Sequence, residues 1–167
     1  ITFQYKKKGA GYEKGVISLD HLERFETFVQ STNGSPLLQK SPYFITIGHE
    51  MAHGFDPIKT DFMNDWYYMS NGKPISKNEI FATHYENLIR AESGHPLRTH
   101  YGIKKRGNIL VPEEKSTLID RNGNSVYYGH KNRYNKHQQL SNATINDGLK
   151  ADGGQILKAR FNYNYGE

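Results

Sequence analysis

Apolar positions in this chain occur in short alternating runs near both ends and in helically spaced stretches between them. Over residues 1–18, Ile1, Phe3 and Tyr5 alternate with polar residues, Lys8-Gly9-Ala10-Gly11 follows, and Val16-Ile17 come after Gly15. This pattern predicts a hairpin with a glycine-rich turn. Ser18 then caps a predicted helix of roughly 19–30, in which Leu19, Leu22, Phe25, Phe28 and Val29 form an apolar stripe. Ser31 to Ser35 reads as a loop. A second helix is predicted over about 42–53. Ser41-Pro42 supplies its cap and a proline at the first helical position. Tyr43, Phe44, Ile45, Ile47 and Met51 give it an apolar side, and Gly54 and Pro57 stop it.

Residues 55–75 read as an excursion with turns at Ser70-Asn71-Gly72 and Pro74. Ser76-Lys77-Asn78-Glu79 has the form of a capping box, with Ser76 as cap and Glu79 at the third helical position. The helix it opens runs to about Glu92, where Ser93-Gly94 ends it. Asn108-Ile109-Leu110-Val111 reads as a strand. Ser116–Ile119 and Ser125–Tyr128 flank Asp120-Arg121-Asn122-Gly123-Asn124 as a hairpin. Residues 129–154 read as polar loops, and Gln155 to Tyr165 as a last strand. The expected architecture is one α+β domain over 1–167, with two prominent helices, small antiparallel sheets, a core over about 1–103 and a β/loop extension over 104–167.

The predicted helix over 42–53 carries His49-Glu50-Met51-Ala52-His53, an HExxH motif. Residues four apart share a helix face, so His49 and His53 project together and can bind one Zn²⁺. Glu50 is placed to act on a metal-bound water as general base. There is no cysteine, so a metal must be held by His, Asp or Glu. A catalytic zinc commonly has three protein ligands and a water. The chain does not continue as His-x-x-Gly-x-x-His but as Gly54-Phe55-Asp56-Pro57-Ile58-Lys59, so the third ligand lies elsewhere. Glu79, on the next strong helix, is the best-placed candidate; His84 and Glu86 on the same helix, and Asp56 and Asp61, are alternatives. Glu86 is seven residues after Glu79, nearly on one face with it. Its carboxylate can accept the second ring N–H of a zinc-bound histidine, or pair with Arg90 at i+4. Arg98 and Tyr101, just past this helix, can direct donors at a developing oxyanion.

The residues from Glu86 onward, Glu86-Asn87-Leu88-Ile89-Arg90-Ala91-Glu92-Ser93-Gly94-His95-Pro96-Leu97-Arg98-Thr99-His100-Tyr101-Gly102, taken with the HExxH motif and Glu79, resemble the M91 family of zinc metallopeptidases. That family includes type III effector proteases and toxin domains at the C-termini of bacterial RHS-type proteins. The order also resembles clostridial neurotoxin light chains, in which a second-layer glutamate precedes the arginine by twelve residues, as Glu86 precedes Arg98. The resemblance covers roughly residues 40–102; the stretch from Glu79 to Glu86 is shorter than in the effector proteases. It implies a zincin-like fold, Zn²⁺ on His49, His53 and Glu79, catalysis by Glu50 with Tyr101 and Arg98, and Glu86 behind the ligands. It further implies a secreted bacterial toxin or effector, delivered into a target cell, that hydrolyses a peptide bond in a protein there, with an immunity or inhibitor protein in its producer.

Composition adjusts this picture modestly. The net charge is +5 and the pI about 9.2, with basic clusters at Lys6-Lys7-Lys8, Lys104-Lys105-Arg106 and Lys131 to Lys136. This would suit an acidic protein or peptide substrate, and no nucleic-acid-binding motif accompanies it. A mean hydropathy of −0.80 and the absence of a long apolar run argue against a membrane span. The chain begins at Ile1 with no signal-peptide pattern, so it is expected to be a C-terminal fragment of a larger protein. Two other functions are compatible with the sequence. One is a zinc hydrolase of peptidoglycan cross-links; the other is a non-enzymatic basic module that binds polyanions.

Overall fold

The computed structural model describes residues 2–5, 9–20, 25–33, 35–55, 64–69 and 72–128. Asp56, Asp61, the Ser70-Asn71 turn, the polar stretch over 129–154 and the strand expected at 155–165 lie outside the described residues. The fold is α+β, and the described residues contain two α-helices and several small sheets.

The first sheet comprises β1 (Thr2–Tyr5), β2 (Ala10–Glu13) and β3 (Val16–Leu19), in the order β1-β3-β2. β1 runs parallel to β3, and the hairpin is formed by β2 and β3. The expected hairpin between the first and third segments, turning at the glycine-rich stretch, is therefore corrected. The tight turn is Lys14-Gly15, with φ of +47° and +85°. Positive φ at both central residues matches the right-handed twist of paired strands, which explains why the chain reverses here.

The expected helix over 19–30 is also corrected. Leu19 closes β3, and Glu26–Gln30 forms β4. β4 is the middle strand of a second sheet, between β5 (Pro36–Lys40) and β8 (Arg98–His100). Thr27, Phe28 and Val29 are all buried, so the strand is covered on both faces. Such a strand shows a continuous apolar run without alternation, and this one also happened to fit helical spacing. β5 was not anticipated from the sequence. It is an outer strand with Pro36 at its first position, where a missing N–H costs no ladder bond.

Helix α1 spans Tyr43–Phe55 and carries the whole of His49–His53. Gly54 lies inside the helix rather than stopping it. A Cβ there would come within 3.1 Å of the Tyr12 ring, so the glycine lets β2 pack tightly against α1. A hairpin of β6 (Asp65–Tyr68) and β7 (Pro74–Ser76) leads into α2, Asn78–Glu92. The capping box is not formed. Ser76 ends β7, Lys77 occupies the cap position without a side-chain hydrogen bond, and Glu79 is released for another role. The far end is as expected: Gly94 has φ +69°, and the His95 N–H bonds the Arg90 carbonyl at 2.7 Å.

The two helices pack closely. A Cβ on Gly48 would lie 2.2 Å from Ile89 Cδ1, so glycine next to His49 allows α2 to approach the site. The main apolar cluster joins Ala52 of α1 to Phe81, Ala82, Leu88 and Ala91 of α2, and to Leu97, Leu118 and Ile119. Residues after β8 return to this core. β9 (Ile103–Arg106) and β10 (Ile109–Pro112) form a hairpin, and a 3₁₀ turn follows at Glu114–Ser116. The chain then pairs back on β8 through His100 and Thr117, and Ile119 bridges Ser125 around the expected turn at Asp120–Asn124. Among the described residues no helix is long and apolar enough to cross a membrane.

Candidate metal centre

α1 and α2 bring together three groups that are far apart in sequence. His49 and His53 are one turn apart on α1, with ring centroids separated by 5.1 Å. Glu79, in the first turn of α2, puts Oε2 3.1 Å from His49 Nε2 and 3.5 Å from His53 Nε2. The three candidate ligand atoms lie within 4.8 Å of one another. Two donors bound to one tetrahedral zinc at about 2.0–2.1 Å lie about 3.3 Å apart. Two nitrogens and a carboxylate oxygen at this spacing could hold such an ion.

Further polar groups fix the ring orientations. Glu86, 2 % exposed, places Oε2 3.1 Å from His49 Nδ1. With Nε2 turned to the metal position, Nδ1 carries the proton and donates it to this carboxylate. His53 Nδ1 lies 3.1 Å from the side-chain amide of Asn78. The amide atom at this distance is Nδ2, an N–H donor, so a metal on His53 Nε2 requires the amide turned over, with its Oδ1 accepting the Nδ1–H.

Glu86 in turn is held by two arginines. Arg90 Nε donates to Oε1 at 2.9 Å, and Arg98 Nη1 donates to Oε2 at 2.7 Å. Arg90 is itself 2 % exposed. Its remaining N–H groups reach Ser41 Oγ at 2.7 Å, Thr27 Oγ1 at 3.3 Å and the Pro96 carbonyl at 3.2 Å. One buried guanidinium therefore ties β4, the start of α1, α2 and the segment before β8 to the carboxylate behind His49. Ser41, expected only as a helix cap, is part of this network.

Arg98 contacts Glu86 of α2, and Tyr101 lies against His49 of α1. Arg98 uses Nη2 to hold the Tyr101 carbonyl at 2.8 Å and Nε to hold the His100 carbonyl at 3.2 Å. Its Cζ lies 4.7 Å from the Tyr101 ring centroid. The Tyr101 ring stacks on His49, with centroids 6.4 Å apart. Asn87 fixes the Arg98 backbone from both sides, donating to its carbonyl at 3.0 Å and accepting from its N–H at 2.7 Å.

Titration behaviour follows from these contacts. Burial disfavours charge on His49, but hydrogen bonds to Glu79 and Glu86, with their charge, raise it to about 9. Burial alone would raise Glu79; His49 and His53 hold it well below the usual carboxylate range. Glu86 is buried too, and Arg98, Arg90 and His49 keep it ionised. Burial and the nearby charge of Glu79 push the Tyr101 hydroxyl well above its ordinary value, so it remains a proton donor at neutral pH.

The site opens onto a cleft of about 200 Å³, lined in part by His49, Glu50, Glu86, Arg98 and Tyr101, with Ala10 and Thr46 beside them. His84, considered as a ligand from sequence, lies elsewhere: it stacks on Tyr128 at 4.1 Å and meets Tyr85 edge-on. Glu86 faces the ring nitrogen of His49 opposite the one that meets Glu79. Nothing in the sequence singles out Asn78, and Arg90 reads there only as an i+4 partner for Glu86. The one available signal, for Arg90 alone, was the polar series Thr83, Asn87 and Arg90 at i, i+4 and i+7 of the helix.

Replacing Asn78 by Ala is expected to weaken metal binding by about 10–100-fold, the usual cost of losing a partner behind a ligand histidine. Competition with a chromophoric chelator measures this, and an unchanged affinity would remove Asn78 from the site.

Comparison of the chain with known protein families, curated proteins and solved structures finds no match.

Proposed function

We propose that this chain is a zinc-dependent endopeptidase with a zincin-like site. The observation that carries the reading is the convergence of His49, His53 and Glu79 from two helices at metal-ligand spacing, with a buried carboxylate on the second nitrogen of His49. Surface histidines and glutamates have no reason to assemble both layers together. The resemblance of residues 40–102 to the M91 family supports the same reading, and the toxin or effector role rests on that resemblance alone.

In this reading His49, His53 and Glu79 hold the ion. When bound, zinc makes a water acidic near neutrality and polarises a carbonyl. Glu50, lining the same cleft, takes the proton of the attacking water and passes it to the leaving amine. The protonated Tyr101 hydroxyl donates to the developing oxyanion. Three of the five N–H groups of Arg98 are engaged within the protein, and this reading assigns the remaining two to the same oxygen. β2, an outer strand packed against α1, offers an edge to which an extended peptide can add.

Elemental analysis tests the centre. The wild type is expected to hold about one zinc per chain. Glu79→Ala is expected to lose the metal or bind it far more weakly. A wild type that takes up no zinc on incubation with the metal would overturn the reading, and full occupancy in Glu79→Ala would move the third ligand elsewhere. Cleavage of a peptide library, abolished by a chelator and restored by zinc, tests the reaction.

A further inference from the structure

The β9–β10 hairpin has no role in the site, yet it has a distinct character. Its base is fixed: the Glu113 N–H bonds the Gly102 carbonyl at 3.0 Å, and Lys104 Nζ lies 3.6 Å from Glu113 Oε1. Its tip is exposed. Lys105, Arg106, Gly107, Asn108, Ile109 and Leu110 are six consecutive exposed residues, turning at Gly107 with φ +63°. Ile109 is 62 % exposed and Leu110 38 %. Cross-strand pairing sets Ile109 opposite Arg106 and Leu110 opposite Lys105, so at the tip each face of the ribbon carries one aliphatic and one cation. No acidic residue occurs between Ile103 and Pro112.

We propose that this hairpin tip is a membrane-docking element that inserts Ile109 and Leu110 into the interface of an anionic bilayer, with Lys105 and Arg106 on its headgroups. Size favours a lipid surface over a protein. A stable protein interface takes about 800 Å² and 20–30 residues from each partner, and six residues at the end of a ribbon supply far less. Three residues of each strand reach about 10 Å, which matches the roughly 5–10 Å depth to which interfacial apolar groups enter. Having a cation on each face suits a tip surrounded by headgroups; a partner on one side would leave one cation unmatched. The hairpin begins two residues after Tyr101, so docking would hold the cleft at a fixed position relative to the membrane surface. This inference is independent of the peptidase reading, and its test does not use activity.

The test is co-sedimentation of the full chain with phosphatidylcholine vesicles, with and without phosphatidylserine. Because the chain has no cysteine, Ile109→Cys can carry one environment-sensitive fluorophore. Binding is expected to be about 10-fold or more tighter to the phosphatidylserine vesicles, to weaken with salt, and to shift the fluorophore emission to the blue. Ile109→Ser with Leu110→Ser, and separately Lys105→Glu with Arg106→Glu, are each expected to lower it about 10-fold or more at an unchanged thermal midpoint. Undiminished binding by both pairs would place the lipid contact on other basic residues and overturn the proposal. So would a blue shift produced by soluble polyglutamate without vesicles, which would make the tip a contact for an acidic polypeptide.

Discussion

Glu50→Gln is expected to lower peptide hydrolysis by about 10²–10⁴-fold, the range that a positioned general base contributes, while bound zinc stays at the wild-type level. The side chain is isosteric and is not one of the three groups at ligand spacing. The amide cannot take a proton from the attacking water or return one to the leaving nitrogen. Glu50 is buried in the wall of the cleft next to His49, and glutamine keeps its size and shape there, so the helix and the His49–His53 pair are expected to stay in place. Parallel measurement of turnover and metal content separates loss of chemistry from loss of the site. A Glu50→Gln protein with near-normal turnover would exclude the proposed mechanism even with zinc present.

Arg90→Ala carries the largest expected effect on stability. Arg90 is among the largest fully buried side chains, and its guanidinium contacts Glu86, Ser41, Thr27 and the Pro96 carbonyl. Removing it leaves a buried carboxylate with one of its two arginines and strips donors from three oxygens. Breaking a buried pair on one side costs about 3–5 kcal/mol. For a chain of this size that lowers the thermal midpoint by about 6–20 °C. Arg90→Lys is expected to recover only part of this, because an ammonium lacks the planar fork that reaches several acceptors at once. Metal affinity should fall with stability, since Glu86 orients His49. A drop of less than about 1 kcal/mol would mean that the network is replaceable by solvent, as it is for exposed ion pairs.

Together these predictions separate two layers. His49 and Glu50 line the cleft, and His53 and Glu79 stand at ligand spacing with His49. Glu86, Arg90, Asn78 and Asn87 determine where those groups and Arg98 stand. The first layer should respond mainly in turnover or metal content, and the second in metal affinity and stability together.

What could be read from the sequence was what depends on neighbours along the chain. The helix carrying His49 and His53 follows from local spacing, and its four-residue step puts both rings on one face whatever surrounds them. The end of α2 was legible because Gly94 supplies a backbone conformation that other residues adopt only at a cost. The turn at Asp120–Asn124 was legible for a similar reason: its hydrogen bonds close within five residues. Tertiary structure decided the rest. β4 is a strand because β5 and β8 flank it and its residues are covered on both sides; its apolar spacing alone favoured a helix. Ser76 closes a hairpin instead of capping α2, and Glu79 faces two histidines instead of its own helix start. Arg90 looked like a surface partner at i+4 and is the buried tie among four segments, because burial depends on what packs above a residue. The sequence by itself determined which groups could ligate and on which helix face they lie. The tertiary structure alone brought Glu79 to within 3.5 Å of both rings and chose the residues that hold it there, since hydrogen-bond partners 25 to 37 positions away leave no periodic trace in a chain.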